Sequence, residues 1–251
     1  MITRRRFVGS LAAGVGGVMV AGCDKLDRSQ GFKEVLRSAE GLTMKAQRLI
    51  TDRSALAREF GAADISPVFR ANGNIMPDGA DYQRHAANRF ADWRLTIDGL
   101  VARPLSIPLP RIRAMPAQTQ TTRHDCVEGW SAIGRWTGVR LSLLLDAAGL
   151  RQNAKYLVFH CADRFGAYPY YESIDLIDAF HPQTMLAWAL NGQLLPIPNG
   201  APLRLRVERQ LGYKHAKYVT RIEAVDDLAG IHRGKGGYWE DSNDYAWYAG
   251  I

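Results

Sequence analysis

Cysteine is scarce in this chain: Cys23, Cys126 and Cys161 are the only three in 251 residues. No Cys-x-x-Cys pair and no His-x-x-x-His spacing occur, which excludes a disulfide-rich scaffold, a zinc ribbon, an iron–sulfur set and an attached c-type haem. Repeats, low-complexity tracts and a regular strand–helix alternation are missing too, so solenoids and doubly wound sheets are set aside. No basic stripe interleaved with aromatics and no helix-turn-helix pattern is present, and no nucleic-acid partner is expected. The formal charge of +7 falls to +4 without Arg4, Arg5 and Arg6. What remains, 47% hydrophobic and 23% charged residues, is the composition of a globular domain long enough for a sizeable core.

The N-terminus has the anatomy of an export signal. Three arginines precede sixteen uncharged residues, Phe7 to Gly22, and then Cys23. That run is short of the roughly 20 residues that span a bilayer. Thr3-Arg4-Arg5-Arg6-Phe7-Val8 resembles a twin-arginine signal, which implies export of a folded protein and hence a cofactor inserted before export. Val20-Ala21-Gly22-Cys23 resembles a lipobox, with Cys23 as the lipidated mature N-terminus and Asp24 as an inner-membrane retention signal. The expected organisation is a signal peptide over 1–22, an N-terminal helical segment over 24–64 and a main domain over 65–251. The expected location is the periplasmic face of the inner membrane, as a lipoprotein.

Apolar residues from Phe32 to Ile50 follow helical spacing and predict an amphipathic helix, with a shorter helix after Ser54. Pro67, Gly73, Pro77 and Gly79 predict an ordered loop over 65–88. The alternation over 93–101 predicts a strand, and further strands are expected at 156–161, 203–207 and 218–225. A helix is expected from Val139 to Leu150, ending at Gly149. Short strands mixed with a few helices, preceded by the N-terminal helix, predict an α+β fold with mixed sheets.

Cys126 stands among Arg123, His124, Asp125 and Glu128, an unusual setting for a cysteine that only fills a core. Arg123, and His124 if protonated, would favour the thiolate, a soft metal ligand. By residue chemistry alone Cys126 is a metal ligand, a reactive nucleophile, a disulfide partner of Cys161 or a buried structural thiol. Cys161 itself reads best as a buried small hydrophobe, and His85 and His160 as structural histidines.

Cys126-Val127-Glu128-Gly129-Trp130-Ser131 resembles the molybdenum-binding segment of the bacterial sulfite-oxidase-like molybdopterin oxidoreductases, which include the catalytic subunit of periplasmic methionine sulfoxide reductase. Asp98-Gly99-Leu100-Val101, Leu141 to Leu145, Asn191 to Pro196, Gly200 to Arg204 and Gly212-Tyr213-Lys214 with Lys217 follow in the family's order, so the resemblance covers residues 65 to 228. It implies a sulfite-oxidase-like molybdopterin-binding domain holding a pyranopterin with one molybdenum, ligated by Cys126 Sγ. It also implies that Asn72, Asp163, Arg204, Lys214 and Lys217 contact the pterin, its phosphate or the metal surroundings.

Animal and plant sulfite oxidases carry arginines shortly after the metal-binding cysteine, where this chain has Trp130 and Ser131. Fewer cations weaken capture of a doubly charged anion, so reduction of a small neutral S- or N-oxide, including protein methionine sulfoxide, is the expected reaction. A sulfite-type dehydrogenase and a non-catalytic lipoprotein binding module are the alternatives. With no haem or iron–sulfur motif in the chain, electrons are expected from a membrane cytochrome or a quinone-linked partner. The aromatic run from Gly236 to Tyr248 is expected to pack back on the domain or to cover the cofactor cleft.

Overall fold

The chain divides after Ile50 into two units, and two β-sheets build the larger one. The structure, a computed structural model, describes residues 29–52 and 54–251, so the export signal and Cys23 lie outside the described residues. The first unit contributes one described helix, α1 (Gln30–Ile50), two residues longer than its apolar spacing predicts. No helix among the described residues is long and apolar enough to cross a membrane.

In the second unit, α2 (Ala80–Ala87) comes first. A five-stranded sheet then takes β1 (Arg94–Gly99), β2 (Leu105–Pro108), β5 (Tyr156–Phe165), β6 (Tyr168–Asp175) and β10 (Val219–Val225) in the order β2-β1-β10-β5-β6. Only β1 and β10 run parallel; their neighbours are antiparallel. The second sheet has β3 (Ala117–Asp125), β4 (Ser131–Arg140), β7 (Met185–Leu190) and β8 (Gln193–Leu194) in sequence order, with β9 (Arg204–Arg206) also paired to β7. Short helices α3 (Leu109–Arg113), α4 (Leu141–Ala148), α5 (Leu176–Ala179) and α6 (Tyr238–Asn243) connect and cover these sheets. The expected α+β class with mixed sheets is what the chain adopts.

The core explains the placement. Leu95 and Ile97 of β1, Leu157 and Phe159 of β5, and Ile222 and Ala224 of β10 alternate inward, and Leu141, Leu144, Leu145 and Ala148 bury one face of α4 against them. Gly149 ends α4 at φ 68, a left-handed position that favours glycine.

Four expectations need correction. No α-helix follows Ser54, only a 3-10 turn at Ala62–Asp64: the Ser54 amide and hydroxyl turn back onto Asp52 Oδ1 at 2.8 and 2.7 Å, and Glu59 and Phe60 then pair with Thr122 and Thr121. The exposed edge of β3 offers backbone partners there that a short, polar helix lacks. The loop over 65–88 contains α2, whose Tyr82 is buried and donates to the Ala201 carbonyl at 2.7 Å. Val139 and Arg140 belong to β4, so α4 starts at Leu141. The strand predicted to stop at Cys161 continues to Phe165.

Candidate active site

Nine residue pairs join β3 to β4, from Ala117↔Val139 to Asp125↔Ser131. Cys126 to Trp130 form the tip of this hairpin. The Cys126 amide donates to the Trp130 carbonyl at 2.9 Å and the Gly129 amide to the Cys126 carbonyl at 3.0 Å, with Gly129 at φ 84. Asp125 closes the tip, accepting from Ser131 Oγ at 2.5 Å and from Arg123 Nε at 2.9 Å. This geometry presents a buried Cys126 thiol to a cleft between the tip, the loop over 72–74, β5, β9, the turn Gly212–Lys214 and the C-terminal segment.

Asn72 lies beside the thiol, its Nδ2 donating to Cys126 Sγ at 3.8 Å. Asp163 of β5 accepts from Asn74 Nδ2 at 3.1 Å through one oxygen, while Oδ1 is buried without a partner. Burial pushes the Asp163 carboxyl up to about 6, against the opposing pull of Asn74 and Lys217. Arg204 is 1% exposed. Its Nη1 donates to the Asn199 carbonyl at 3.0 Å, its guanidinium lies 5.4 Å from the Trp136 ring, and its Nε has no partner. Burial, and then the charge of Arg206, push its pKa down to about 9. Lys217 also lines the cleft, but its ammonium donates to the carbonyls of Asn72 at 2.6 Å, Pro198 at 3.0 Å and Asn74. Three acceptors use all three of its hydrogens, so Lys217 clamps the 72–74 loop rather than offering a free cation.

Lys214 is placed differently from the sequence expectation. Its side chain turns away from the cleft and is wholly buried between Glu172 Oε1 at 2.5 Å and Glu240 Oε1 at 2.7 Å. The tight 3-10 turn over Gly212–Lys214 lines the cleft through Gly212 and Tyr213 and sends the third side chain behind it. Arg123 is tied to Asp125, and burial followed by the charge of Arg204 holds His124 neutral, well below the ordinary histidine value. Neither supplies the positive charge expected beside the thiol. Burial pushes the Cys126 thiol up, and the groups that oppose it are the Glu128 amide, Arg204 and Asn72. Trp130 and Ser131 do not line the cleft: Trp130 Nε1 donates to Glu128 Oε2 at 3.0 Å, and its ring centroid lies 5.6 Å from that of His124. The residue that stands at the cleft near the tip is Glu128, a carboxylate.

Two histidines were missed as site residues by sequence reasoning, which used one as a cation and passed over the other. Arg206 Nη1 donates to His124 Nδ1 at 3.0 Å, which leaves the proton on Nε2, a buried donor without a partner. His215 Nε2 donates to the Gln210 carbonyl at 3.0 Å, which leaves Nδ1 as a buried acceptor without a partner. Their rings meet edge to face at 5.0 Å. A Cβ at Gly212 would lie 2.5 Å from the His124 ring, so only glycine lets the turn close on it. Asn74, Trp239 and Tyr245 complete the lining; doubled asparagines around Gly73 were the available signal for the first. Cys161 and Cys126 are free thiols, and Cys161 packs against the core. His85 and His160 bind Asp92 and Glu223, away from the cleft.

The chemistry of this cleft is specific. It offers one thiol, one arginine without a carboxylate partner in the cleft, and buried polar atoms of both senses on Asn72, Asp163, Arg204 and His215, while His124, against Gly212, and Asn199, bonded to Arg204, hold further unpartnered polar atoms behind the lining. Such a set suits a planar, polar heterocycle bearing an anionic group and a metal that accepts sulfur. Comparison with known proteins agrees. The profile of the oxidoreductase molybdopterin binding domain matches residues 83–230. A relative from Azospira oryzae, named as a candidate protein-methionine-sulfoxide reductase subunit (YedZ1), is 42% identical over 237 residues, 94% of this chain and 84% of the relative. The crystal structure of the sulfane dehydrogenase SoxCD from Paracoccus pantotrophus superposes with a TM-score of 0.51 at 28% identity, covering 55% of this chain and 39% of that one.

Proposed function

Since the chain belongs to the oxidoreductase molybdopterin-binding family and is a molybdopterin oxidoreductase, we propose that it reduces a neutral sulfoxide, with methionine sulfoxide in proteins as the substrate, at a molybdenum ligated by Cys126 Sγ. The net reaction takes a sulfoxide, two protons and two electrons to a thioether and water. The cofactor, when bound, supplies the two-electron oxygen transfer. This chain's residues hold and tune it. Cys126 would donate the protein thiolate, and the Asn72 amide, which donates to Cys126 Sγ at 3.8 Å, would limit the electron density on that sulfur. Arg204 would meet the anionic part of the cofactor, and Asn72 Oδ1, His215 Nδ1 and Asp163 Oδ1 would meet its polar edges.

The observation that carries this reading is the incomplete polar surface of the cleft, above all a buried Arg204 that no cleft carboxylate neutralises. Burying such a charge is costly unless a ligand meets it. Glu128, an exposed carboxylate at the cleft, supports a neutral substrate over a sulfite dianion, because like charges repel. Likeness to a sulfane dehydrogenase supports a second reading, sulfur oxidation with the electron flow reversed. The name of the Azospira relative, a protein-methionine-sulfoxide reductase subunit, supports the methionine sulfoxide substrate and a further subunit as partner. The N-terminal sequence supports twin-arginine export and lipidation of Cys23, which mass spectrometry of the mature N-terminus tests.

The deciding experiment is metal analysis and turnover of protein made in a host that synthesises the cofactor. Stoichiometric molybdenum and reduction of methionine sulfoxide with a viologen donor are expected. Absence of molybdenum sinks the reading, and thioether or sulfane oxidation with an artificial acceptor, without sulfoxide reduction, establishes the second one.

A further inference from the structure

Helix α6 is six residues long, yet two cavities share it. Trp239 lines the cleft, whereas Tyr238, Asp241 and Ser242, at the i, i+3, i+4 spacing of one helix face, line a second cavity of about 320 Å³. Tyr168, Pro169 and Tyr171 of β6, with His232 and Arg233, complete it. The partition between the two is one stacked ring pair. Tyr238 faces the side cavity and Phe165 faces the cleft, their centroids 4.8 Å apart and their planes 22° from parallel.

The side cavity is tightly constructed. Tyr171 Oη donates to Asp241 Oδ2 at 2.5 Å, and the backbone amides of Arg233 and Lys235 donate to Asp241 Oδ2 and Oδ1, each at 3.1 Å. These bonds fix the 233–235 turn against α6. His232, at φ 49, lays its ring on Tyr171 at 4.2 Å. Both Asp241 oxygens are engaged by neutral donors within this network, so its carboxylate is held in place, while the Arg233 guanidinium, with Nη1 donating to the Asp241 carbonyl at 3.5 Å, lies 5.5 Å from the Tyr168 ring as the cation at the rim. Tyr168 is 58% exposed, an open aromatic face beside that cation.

An aromatic floor with one cation at its rim fits an apolar or aromatic side chain next to a carboxylate. A single ring pair separates the cavities, a step on the order of 10 Å, or about three residues of extended chain at roughly 3.3 Å each. We propose that the side cavity is a subsite for a polypeptide substrate. It takes an apolar side chain about three residues from the methionine sulfoxide presented at the cleft, with Arg233 pairing to a neighbouring acidic residue. This rests on the sulfoxide reductase reading above.

The test uses the holoenzyme and two substrates: free methionine sulfoxide, and a short peptide carrying phenylalanine three residues from methionine sulfoxide with an aspartate beside the phenylalanine. Tyr168→Ala and Arg233→Gln should each raise KM for the peptide about tenfold, leaving kcat and the free amino acid unchanged. Affinity for the same peptide carrying inert methionine sulfone, measured by calorimetry, should fall by the same factor. Equal effects on both substrates, or no effect on the peptide, overturn the subsite. Slower electron delivery from the membrane partner with peptide KM unchanged also overturns it and marks a protein-docking face. If the wild type reduces no sulfoxide, the functional reading has failed, and sulfone-peptide binding that is equal in wild type and variants then overturns the subsite separately.

Discussion

Behind the cleft, buried cations have carboxylate partners. Arg206 donates to Glu208 at 2.6 and 2.8 Å, both side chains fully buried, and Lys214 sits between Glu172 and Glu240. Burial, then the charge of Glu240, push the Glu172 carboxyl well up, against the opposing pull of Lys214. In the cleft itself the pattern reverses. Arg204, two residues before Arg206 and packed on the same Trp136 ring, has a backbone carbonyl and an empty Nε. Asp163 has one satisfied oxygen and one bare one. Although Glu172 Oε2 and Glu240 Oε2 also accept no bond, every cation of that cluster has a carboxylate, and a protein that pairs those cations and leaves the one in the cleft unpaired has a cleft shaped around a partner that it must bind.

The sharpest way to break this contrast is to remove the thiol. Cys126→Ser should retain the fold by circular dichroism and lose molybdenum and turnover by roughly a hundredfold or more. The next largest effect lies behind the cleft, where Lys214→Met strands two buried carboxyls. It should destabilise the protein by about 3–5 kcal/mol in urea melts, and unchanged stability would show that the cluster is not ionised. Third, the paired arginines should part company. Arg206→Met should cost about 3 kcal/mol of cofactor-free stability because it bares Glu208. Arg204→Met should cost little or stabilise, yet weaken cofactor retention by about ten- to a hundredfold. Equal stability losses in the two variants would erase the distinction drawn here. The smallest effect concerns pH. The folded Asp163 carboxyl, at about 6, lies above its ordinary value of 3.8, so its contribution is present at low pH and lost as pH rises through 6. Cofactor-free protein should therefore lose stability between about pH 4 and 6, and Asp163→Asn should flatten that limb.

How much of this could be read in the sequence depended on how local the signal was. Cys126 was legible because charged neighbours around a lone cysteine are unusual, and α1, β1, β5 and β10 because their apolar periods are regular. The β3–β4 hairpin went unread although Thr119, Thr121 and Thr122 favour a strand, since its polar face hides the alternation. Lys214 was misplaced because a sequence motif names residues on a turn but not the direction each side chain takes. The charge that opposes burial of the thiol came from β9, 78 positions further on, and not from Arg123 or His124 beside it. Only the folded chain shows that His124 and His215 each spend one ring nitrogen on a neighbour and keep the other free. The C-terminal aromatics satisfied both expectations at once: Trp239 and Tyr245 line the cleft while Tyr238 packs on Phe165.

The hairpin that carries Cys126 has a consequence for how this protein can diverge. Its register is locked on both sides of the tip by the Asp125↔Ser131 pair and by the Cys126 to Trp130 backbone bond. The side chains of Val127 and Glu128 take no part in those locks, Val127 being 46% exposed and Glu128 bonded only to the Trp130 ring nitrogen at 3.0 Å. Descendants can exchange these two side chains, altering which molecules are admitted, without disturbing the ladder that aims the sulfur. Selection for a new substrate would find its cheapest variation there, on a tip that can be replaced while its shank stays fixed.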